Sequence, residues 1–147
     1  MFSQTTEYAL RAAVWLAQQR GAQTNQDIAE ATQVPAGYLS KVLQALGRAG
    51  LVHGSRGKHG GFELARPADD ITILEIVNSV DPIRRIHSCP LHLKSHRVRL
   101  CPLHRRMDQA LAVIEESFGG VTLAQLVDES ADSRPLCESV ALMGAAS

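Results

Sequence analysis

A short glycine-rich stretch is the feature that most limits how this chain can fold. Four glycines lie within residues 54–61, between two β-prone pieces at residues 51–53 and 62–64. Glycine adopts backbone conformations that other residues avoid, so the stretch predicts a tight hairpin whose backbone can approach another molecule closely. The charged side chains at the tip of this hairpin, Arg56 and Lys58, are both basic.

Helical patterns precede the hairpin. Residues 4–20 place apolar side chains at helical spacing, and Gly21 ends the pattern. Thr24 begins a capping box for a short second helix, and Pro35 opens a third helix that runs to about Ala49. We expect each of the two longer helices to bury one apolar face. In the first helix that face is Leu10, Ala13, Val14 and Ala17. In the third helix it is Leu39, Val42, Leu43 and Leu46.

The second half of the chain alternates loop and helix. Thr72 caps a helix to about Val80, residues 83–101 lack clean periodicity, a longer helix covers about 103–118, and Thr122 caps a short last helix. We therefore divide the chain into four parts. These are a winged helix-turn-helix region (residues 1–80), a sensor loop (81–101), a dimerisation helix with a terminal helix (102–130) and a flexible tail (131–147).

Composition narrows the class of protein. Hydrophobic residues make up 45% of the 147 residues, which suffices for a core, and only 4% are aromatic, which favours a mainly α fold. Fifteen basic and fifteen acidic residues balance, so binding to nucleic acid must come from a local patch. No apolar run reaches the roughly 18 residues of a membrane span. No secretory signal begins the chain, so we expect no membrane partner and a cytoplasmic location.

The order of helix, turn, helix and basic hairpin predicts a winged helix-turn-helix that binds double-stranded DNA. A helix fits the major groove, and a narrow hairpin that carries arginine fits the minor groove. A small helical bundle with a solvated hairpin is the alternative. An enzyme is not expected, since no nucleophile elbow or oxyanion-type glycine turn accompanies the cysteines and histidines.

Several ordered blocks of the sequence also resemble a known family, the winged-helix transcriptional regulators typified by the iron–sulfur regulator IscR and the nitric-oxide sensor NsrR. The resemblance extends from about Glu7 to Glu129. The matching blocks are residues 7–12, 28–29, 34–39, 42–43, 46, 49–52, 56–62 and 70–77.

The resemblance implies a homodimer whose long helices cross near the two-fold axis. Such a dimer carries two recognition helices and predicts a pseudo-palindromic operator. By position, the residues expected to face DNA are Gly37, Tyr38, Ser40, Lys41 and Gln44 of the third helix, with Arg56 and Lys58 of the wing.

Cysteine and histidine cluster in and beside the sensor loop. Two of the three cysteines and four of the six histidines lie between residues 87 and 104, and the tetrapeptide Cys-Pro-Leu-His occurs twice. Such clustering indicates metal ligands. Taken alone, the pairs Cys89–His92 and Cys101–His104 are typical of a zinc site with two cysteines and two histidines. These ligands suit copper(I) or iron–sulfur iron equally.

The resemblance favours an iron–sulfur centre with two iron and two sulfide ions. Members of the family that sense in this way carry three evenly spaced cysteines, a frame that falls here on Cys89, Ser95 and Cys101. Serine is a poor iron ligand. His104 and Glu7, the latter supplied by the partner subunit, match further ligand positions. The alternatives are zinc, with His92 as a ligand, and a metal-free loop with redox-reactive thiols. No role is expected for Cys137.

Overall fold

The structure is a computed structural model that describes residues 1–129 and 135–136. Within that part of the chain there are six α-helices and one two-stranded antiparallel sheet, which confirms the mainly α winged helix-turn-helix. The elements are α1 (Gln4–Gln18), α2 (Asn25–Thr32), α3 (Ala36–Arg48), β1 (Val52–Ser55), β2 (Gly61–Leu64), α4 (Ile73–Val80), α5 (Pro102–Gly119) and α6 (Leu123–Asp128).

Capping boxes fix the starts of α2, α4 and α6, as the sequence predicts. In each case a threonine hydroxyl accepts a hydrogen bond from a backbone N–H three residues on, and the side chain at that position binds the threonine N–H in return. The threonines are Thr24, Thr72 and Thr122. These reciprocal bonds satisfy amide groups that have no partner within the helix.

α1 is the central helix of the fold. It packs against α2, α3, α4 and α6. Trp15 is fully buried, as are the small side chains Ala9 and Ala12. The buried face expected from the sequence is therefore too narrow, because a helix that packs against four others buries more than one stripe. Two of the residues expected on that face, Leu10 and Ala17, are only half-buried.

α3 buries the stripe that the sequence predicts, Leu39, Val42, Leu43 and Leu46. These side chains pack toward α1 and α4, and the opposite face of α3 stays in solvent. The packing thus sets which residues of the helix are available to a ligand.

α6 returns to the core of the first eighty residues. The Ile73 N–H donates to the Val121 carbonyl over 3.0 Å, and the Leu123 N–H donates to the Ile71 carbonyl over 2.9 Å. Leu123 is fully buried. The terminal helix, grouped with α5 on sequence grounds, thus packs with the winged region.

α5 differs from the other helices. It is 18 residues long and has no buried residue, and its main neighbour in the chain is α4. Leu103, Met107 and Val113 are exposed. No helix in the described part of the chain is long and apolar enough to cross a membrane.

The sensor loop and the tail agree with the sequence-based expectation to different extents. Between α4 and α5 the chain forms one short 3₁₀ turn, Lys94–His96, and otherwise irregular structure, as expected. Most of the expected flexible tail, with Cys137, lies outside the described residues. Its two described members pack on the core: Leu136 touches the apolar cluster, and the Gln18 side chain donates to the Pro135 carbonyl over 2.6 Å.

Candidate DNA-binding surface and sensor loop

The outer face of α3 presents every residue that the sequence assigns to the major groove. Gly37, Tyr38, Ser40, Lys41 and Gln44 are all exposed. They lie opposite the buried stripe, so a duplex could approach them without disturbing the core. Their side chains are short or polar, which suits contacts to base edges and phosphates.

α2 holds one of these side chains in a fixed position. The Ser40 hydroxyl donates to the Ala36 carbonyl over 3.1 Å and accepts a hydrogen bond from the Asn25 side chain over 3.2 Å. Asn25 begins α2, so this bond ties the two helices of the helix-turn-helix together at the surface. Nothing in the sequence pattern singles out Asn25 for this role.

A line of polar and aromatic contacts connects Glu7 of α1 to the same face. Arg11 donates to the Glu7 carboxylate over 3.0 Å, and its guanidinium lies 5.7 Å from the Tyr8 ring centre. The Tyr8 and Tyr38 rings meet edge to face, with 6.0 Å between their centres. The Lys41 ammonium lies 6.0 Å from the Tyr38 ring centre. Tyr38 therefore both packs on α1 and remains 52% exposed.

The wing consists of β1, β2 and the turn between them. Val52 pairs with Leu64 at its base and Ser55 with Gly61 at its tip. Arg56 and Lys58 are exposed in the turn. A side chain at Gly60 would place its Cβ 2.4 Å from the Ser55 carbonyl oxygen, so the turn requires glycine there. The predicted hairpin is confirmed, and it projects its cations away from the core.

The wing is anchored by a residue that sequence reasoning missed. Gln23, between α1 and α2, exchanges two backbone hydrogen bonds of 2.7 and 2.8 Å with Phe62. The backbones come so close that a Cβ at Gly61 would lie 2.5 Å from the Gln23 carbonyl oxygen, and Gly61 has a positive φ of 147°. This contact fixes the direction of the wing relative to the helices.

Cys89 is enclosed by its own loop. Its side chain is buried and lines a cavity of about 260 Å³, together with Ser88, His92, Leu93, His96 and Arg97. Hydrogen bonding from the Leu93 backbone, and then from the His96 side chain, lowers the pKa of the Cys89 thiol. Both contacts favour the thiolate, which is the form that binds metals.

The repeated tetrapeptide adopts two conformations. Residues 89–92 form a turn in which the His92 N–H donates to the Cys89 carbonyl over 3.0 Å, and His92 has a positive φ of 52°. Residues 101–104 instead begin α5, with Cys101 as its N-cap and its sulfur 3.3 Å from His104 Nδ1. The second copy precedes a helix-forming run and the first does not, so context decides the outcome.

Comparison with known proteins assigns the chain. A family model described as Rrf2, iron-dependent transcriptional regulator, matches residues 2–129. The chain belongs to the Rrf2 family. It is a DNA-binding transcriptional regulator, as the exposed face of α3 and the basic wing predict.

Individual relatives agree with this assignment. The chain is 30% identical over 132 residues to a protein of Aquifex aeolicus assigned as an HTH-type transcriptional regulator, covering 87% of this chain and 92% of that protein. The structure of T. potens IscR is similar with a TM-score of 0.74 and 25% identity, over 90% of this chain and 89% of that one. CymR, the global cysteine regulator of B. subtilis, shares the fold with a TM-score of 0.72 and 22% identity, over 88% of this chain and 98% of that one.

The ligands predicted for an iron–sulfur centre are not assembled within one chain of this Rrf2 regulator. Among the described residues, no three His, Cys, Asp or Glu side chains are grouped to hold a metal ion. Cys101 and His104 are adjacent, whereas Cys89 occupies its own cavity and Glu7 is paired with Arg11. Ser95 is exposed in the 3₁₀ turn. The donor types fit a metal centre, and bringing them together requires movement of the loop or a second chain.

An ion-pair cluster fastens the sensor loop to α5. Arg85 donates to both oxygens of Asp108, over 2.7 Å each, and to Glu115 over 3.1 Å. The Ile86 N–H donates to Asp108 over 2.8 Å. These bonds hold the pKa of the Asp108 carboxyl at about 2, chiefly because of the Arg85 guanidinium, and raise the pKa of Arg85. No sequence pattern pointed to these residues.

Arg56→Ala should weaken specific DNA binding by about 1–3 kcal/mol, because the contact that we expect between this side chain and the minor groove is lost. A quantitative binding titration with a selected genomic fragment measures the loss. Arg20→Ala, which removes another exposed cation two residues beyond the end of α1, is the control and should bind like the parent. Unchanged affinity and salt dependence for Arg56→Ala would remove this residue from the DNA contacts.

The Asp108–Arg85 pair should make stability depend on pH in the acid range. A carboxylate whose folded pKa is depressed stabilises the fold above its ordinary pKa of about 3.9, and this is lost as pH falls toward the folded pKa. The melting temperature of the parent should therefore fall between about pH 4 and pH 2 more than that of Asp108→Asn. Glu116→Gln, an exposed neighbour, should behave like the parent. Parallel curves for the parent and Asp108→Asn would contradict this role.

Proposed function

We propose that this regulator binds a pseudo-palindromic operator as a homodimer in the cytoplasm, and that a two-iron, two-sulfur centre at the sensor loop switches its binding. The observation that carries the proposal is the surroundings of the two loop cysteines, in a chain whose family is described as iron-dependent. Cys89 is surrounded by groups that favour its thiolate, and Cys101 lies beside an imidazole.

The exposed face of α5 supports the dimer. Leu103, Met107 and Ala110 recur at helical spacing, all are exposed, and Val113 beside them is 65% exposed. A long helix with an apolar face and no buried residue gains stability when a second copy covers it. Two-fold symmetry then presents two α3 helices to one face of the duplex.

Two other apolar residues of α5 already pack against other parts of the same chain. Leu111 and Ile114 line a cavity of about 170 Å³ together with Phe2, Val77, Ile83 and other residues of the chain. Glutamate at Leu111 or Ile114 would disturb this packing as well as a dimer. The stripe of Leu103, Met107 and Ala110 therefore gives the cleaner test of dimerisation.

The double variant Met107→Glu with Ala110→Glu should be monomeric and should lose operator binding, because four negative charges would meet at the symmetric contact. Sedimentation analysis measures the first effect and a gel shift with genomic fragments the second. Gln109→Glu adds a charge on another exposed face of α5 and should remain dimeric. Dimers that persist in the double variant would refute this interface.

The proposed ligands of the iron–sulfur centre are Cys89, Cys101 and His104 of one chain and Glu7 of its partner. Such a centre supplies one-electron redox chemistry, and nitrogen ligands raise its potential. Hydrogen bonds from the Leu93 backbone and the His96 side chain lower the pKa of the Cys89 thiol, and His104 lies next to Cys101. A carboxylate and an imidazole complete a set of four donors at the cost of more labile bonds.

Glu7 is the residue that connects the ligand set to DNA. It pairs with Arg11, which lies over Tyr8, and Tyr8 contacts Tyr38 of the recognition helix. A Glu7 carboxylate engaged elsewhere attracts Arg11 less strongly. When Glu7 binds a metal instead of Arg11, the contacts of Arg11 with Tyr8 and of Tyr8 with Tyr38 change. This gives the switch a physical route to α3.

A zinc site is the second candidate, with Cys89, His92, Cys101 and His104 as ligands. The supporting observation is that His92 lines the same cavity as Cys89. Tetrahedral thiolate and imidazole coordination is usual for structural zinc. A metal-free loop with redox-reactive thiols is the third.

Protein purified without oxygen should be coloured and should contain iron with acid-labile sulfide. Cys89→Ala and Cys101→Ala should abolish the visible absorption, Glu7→Ala should shift or weaken it, and Cys137→Ala is the matched control that should keep it. Stoichiometric zinc without sulfide or colour would replace the iron–sulfur proposal with the zinc site. Protein that contains neither metal would leave the thiols alone as the sensing groups.

A further inference from the structure

The positive charge of this protein is concentrated where no DNA contact was expected. Residues 1–80, which contain the helix-turn-helix and the wing, have seven basic and seven acidic residues. Residues 82–107 have seven Lys and Arg, four His and no Asp or Glu. We refer to residues 82–107 as the basic segment. DNA affinity depends strongly on neutralised phosphates, and the winged region alone has no surplus of cations for this purpose.

Most of these cations are free to meet a ligand. Arg85 is bound to Asp108 and Glu115. The other six basic side chains form no ion pair with any described residue, and all six are exposed: Arg84, Lys94, Arg97, Arg99, Arg105 and Arg106. Six unpaired cations within 23 residues repel one another, and a polyanion would relieve that repulsion.

The basic segment begins beside the recognition helix. A cavity of about 200 Å³ is lined by Lys41 and Arg48 of α3 and by Ser79 and Val80 at the end of α4. Four residues beyond Val80 the chain reaches Arg84, which lines a neighbouring cavity at the start of α1. The first cation of the basic segment thus follows, by four residues along the chain, a helix end that lies beside two cations of α3, with Asp81 between them.

We propose that the basic segment is a second DNA-contacting surface, whose lysine and arginine side chains bind backbone phosphates of the duplex held by α3 and the wing. Phosphate contacts fix the position of a protein on DNA without reading its sequence. Up to Cys101 the backbone of the segment is irregular apart from one 3₁₀ turn, whereas Arg105 and Arg106 lie in the first turns of α5. Both parts present long cationic side chains, which suit contacts to phosphates. The proposal rests on the DNA binding of the family and needs neither the metal centre nor a particular operator.

The salt dependence of binding to a fluorescein-labelled duplex of mixed sequence tests this surface. Each lost phosphate contact lowers the slope of log K against log salt by about 0.9. Lys94→Gln with Arg99→Gln changes two exposed cations that do not line the Cys89 cavity. We expect the slope to fall by about 1.8 for each bound chain.

Two controls separate charge at this place from other effects. Lys94→Arg with Arg99→Lys keeps both charges and should retain the parent slope. Arg20→Gln removes an exposed cation elsewhere and should also retain it. The melting temperatures of the variants report on folding, and the two single variants can be measured if the double variant is unstable. If the Lys94→Gln with Arg99→Gln variant has the same slope as the parent, the proposal is overturned. Loss of the dimer or of a metal centre would instead change the parent and all the variants alike.

Discussion

Burial of α1 is the constraint on which the rest of the structure depends. Ala9, Ala12 and Ala13 are small enough to let neighbouring helices come close, and Trp15 fills the space between them. Four helices pack on α1, among them α3, which carries the recognition face, and α6, which returns from the far end of the chain. The outward face of α3 is determined by what its inward face must bury, so the core decides where the proposed DNA-binding surface lies.

The same helix carries the contacts through which we propose that the sensor loop acts on α3. Glu7 is exposed, Arg11 is partly exposed and Tyr8 is buried. Together they reach Tyr38 through a salt bridge and two aromatic contacts. Exposed pairs of this kind contribute little stability by themselves. Weak contacts of similar energy are easily exchanged, which suits a link that must change when a ligand binds. The rigid core of α1 and its adjustable edge thus serve different purposes.

Local chemistry explains the features that the sequence predicted well. Threonine caps, Pro35 and the glycines of the wing each specify a backbone conformation through their own atoms, and the structure has all of them. Contacts between distant residues were missed: Gln23 with Phe62, Asn25 with Ser40 and Arg85 with Asp108. None has a periodic pattern, because each depends on how whole elements are packed. The two conformations of Cys-Pro-Leu-His show the same limit, since the neighbouring sequence determines the shape of identical residues.

The sensor loop combines candidate metal ligands with a high density of cationic side chains. Its cysteines and histidines are interleaved with its cations, and Arg97 lines the cavity that contains Cys89. Its shape depends on few contacts, mainly the Arg85 ion pairs at one end and the hydrogen bonds around Cys89 in the middle. Segments with so little buried apolar surface open at low free-energy cost. Arg97 is the cation that a change at the Cys89 sulfur would reach first. Under the two proposals made above, the same loop would sense a signal and contact phosphate.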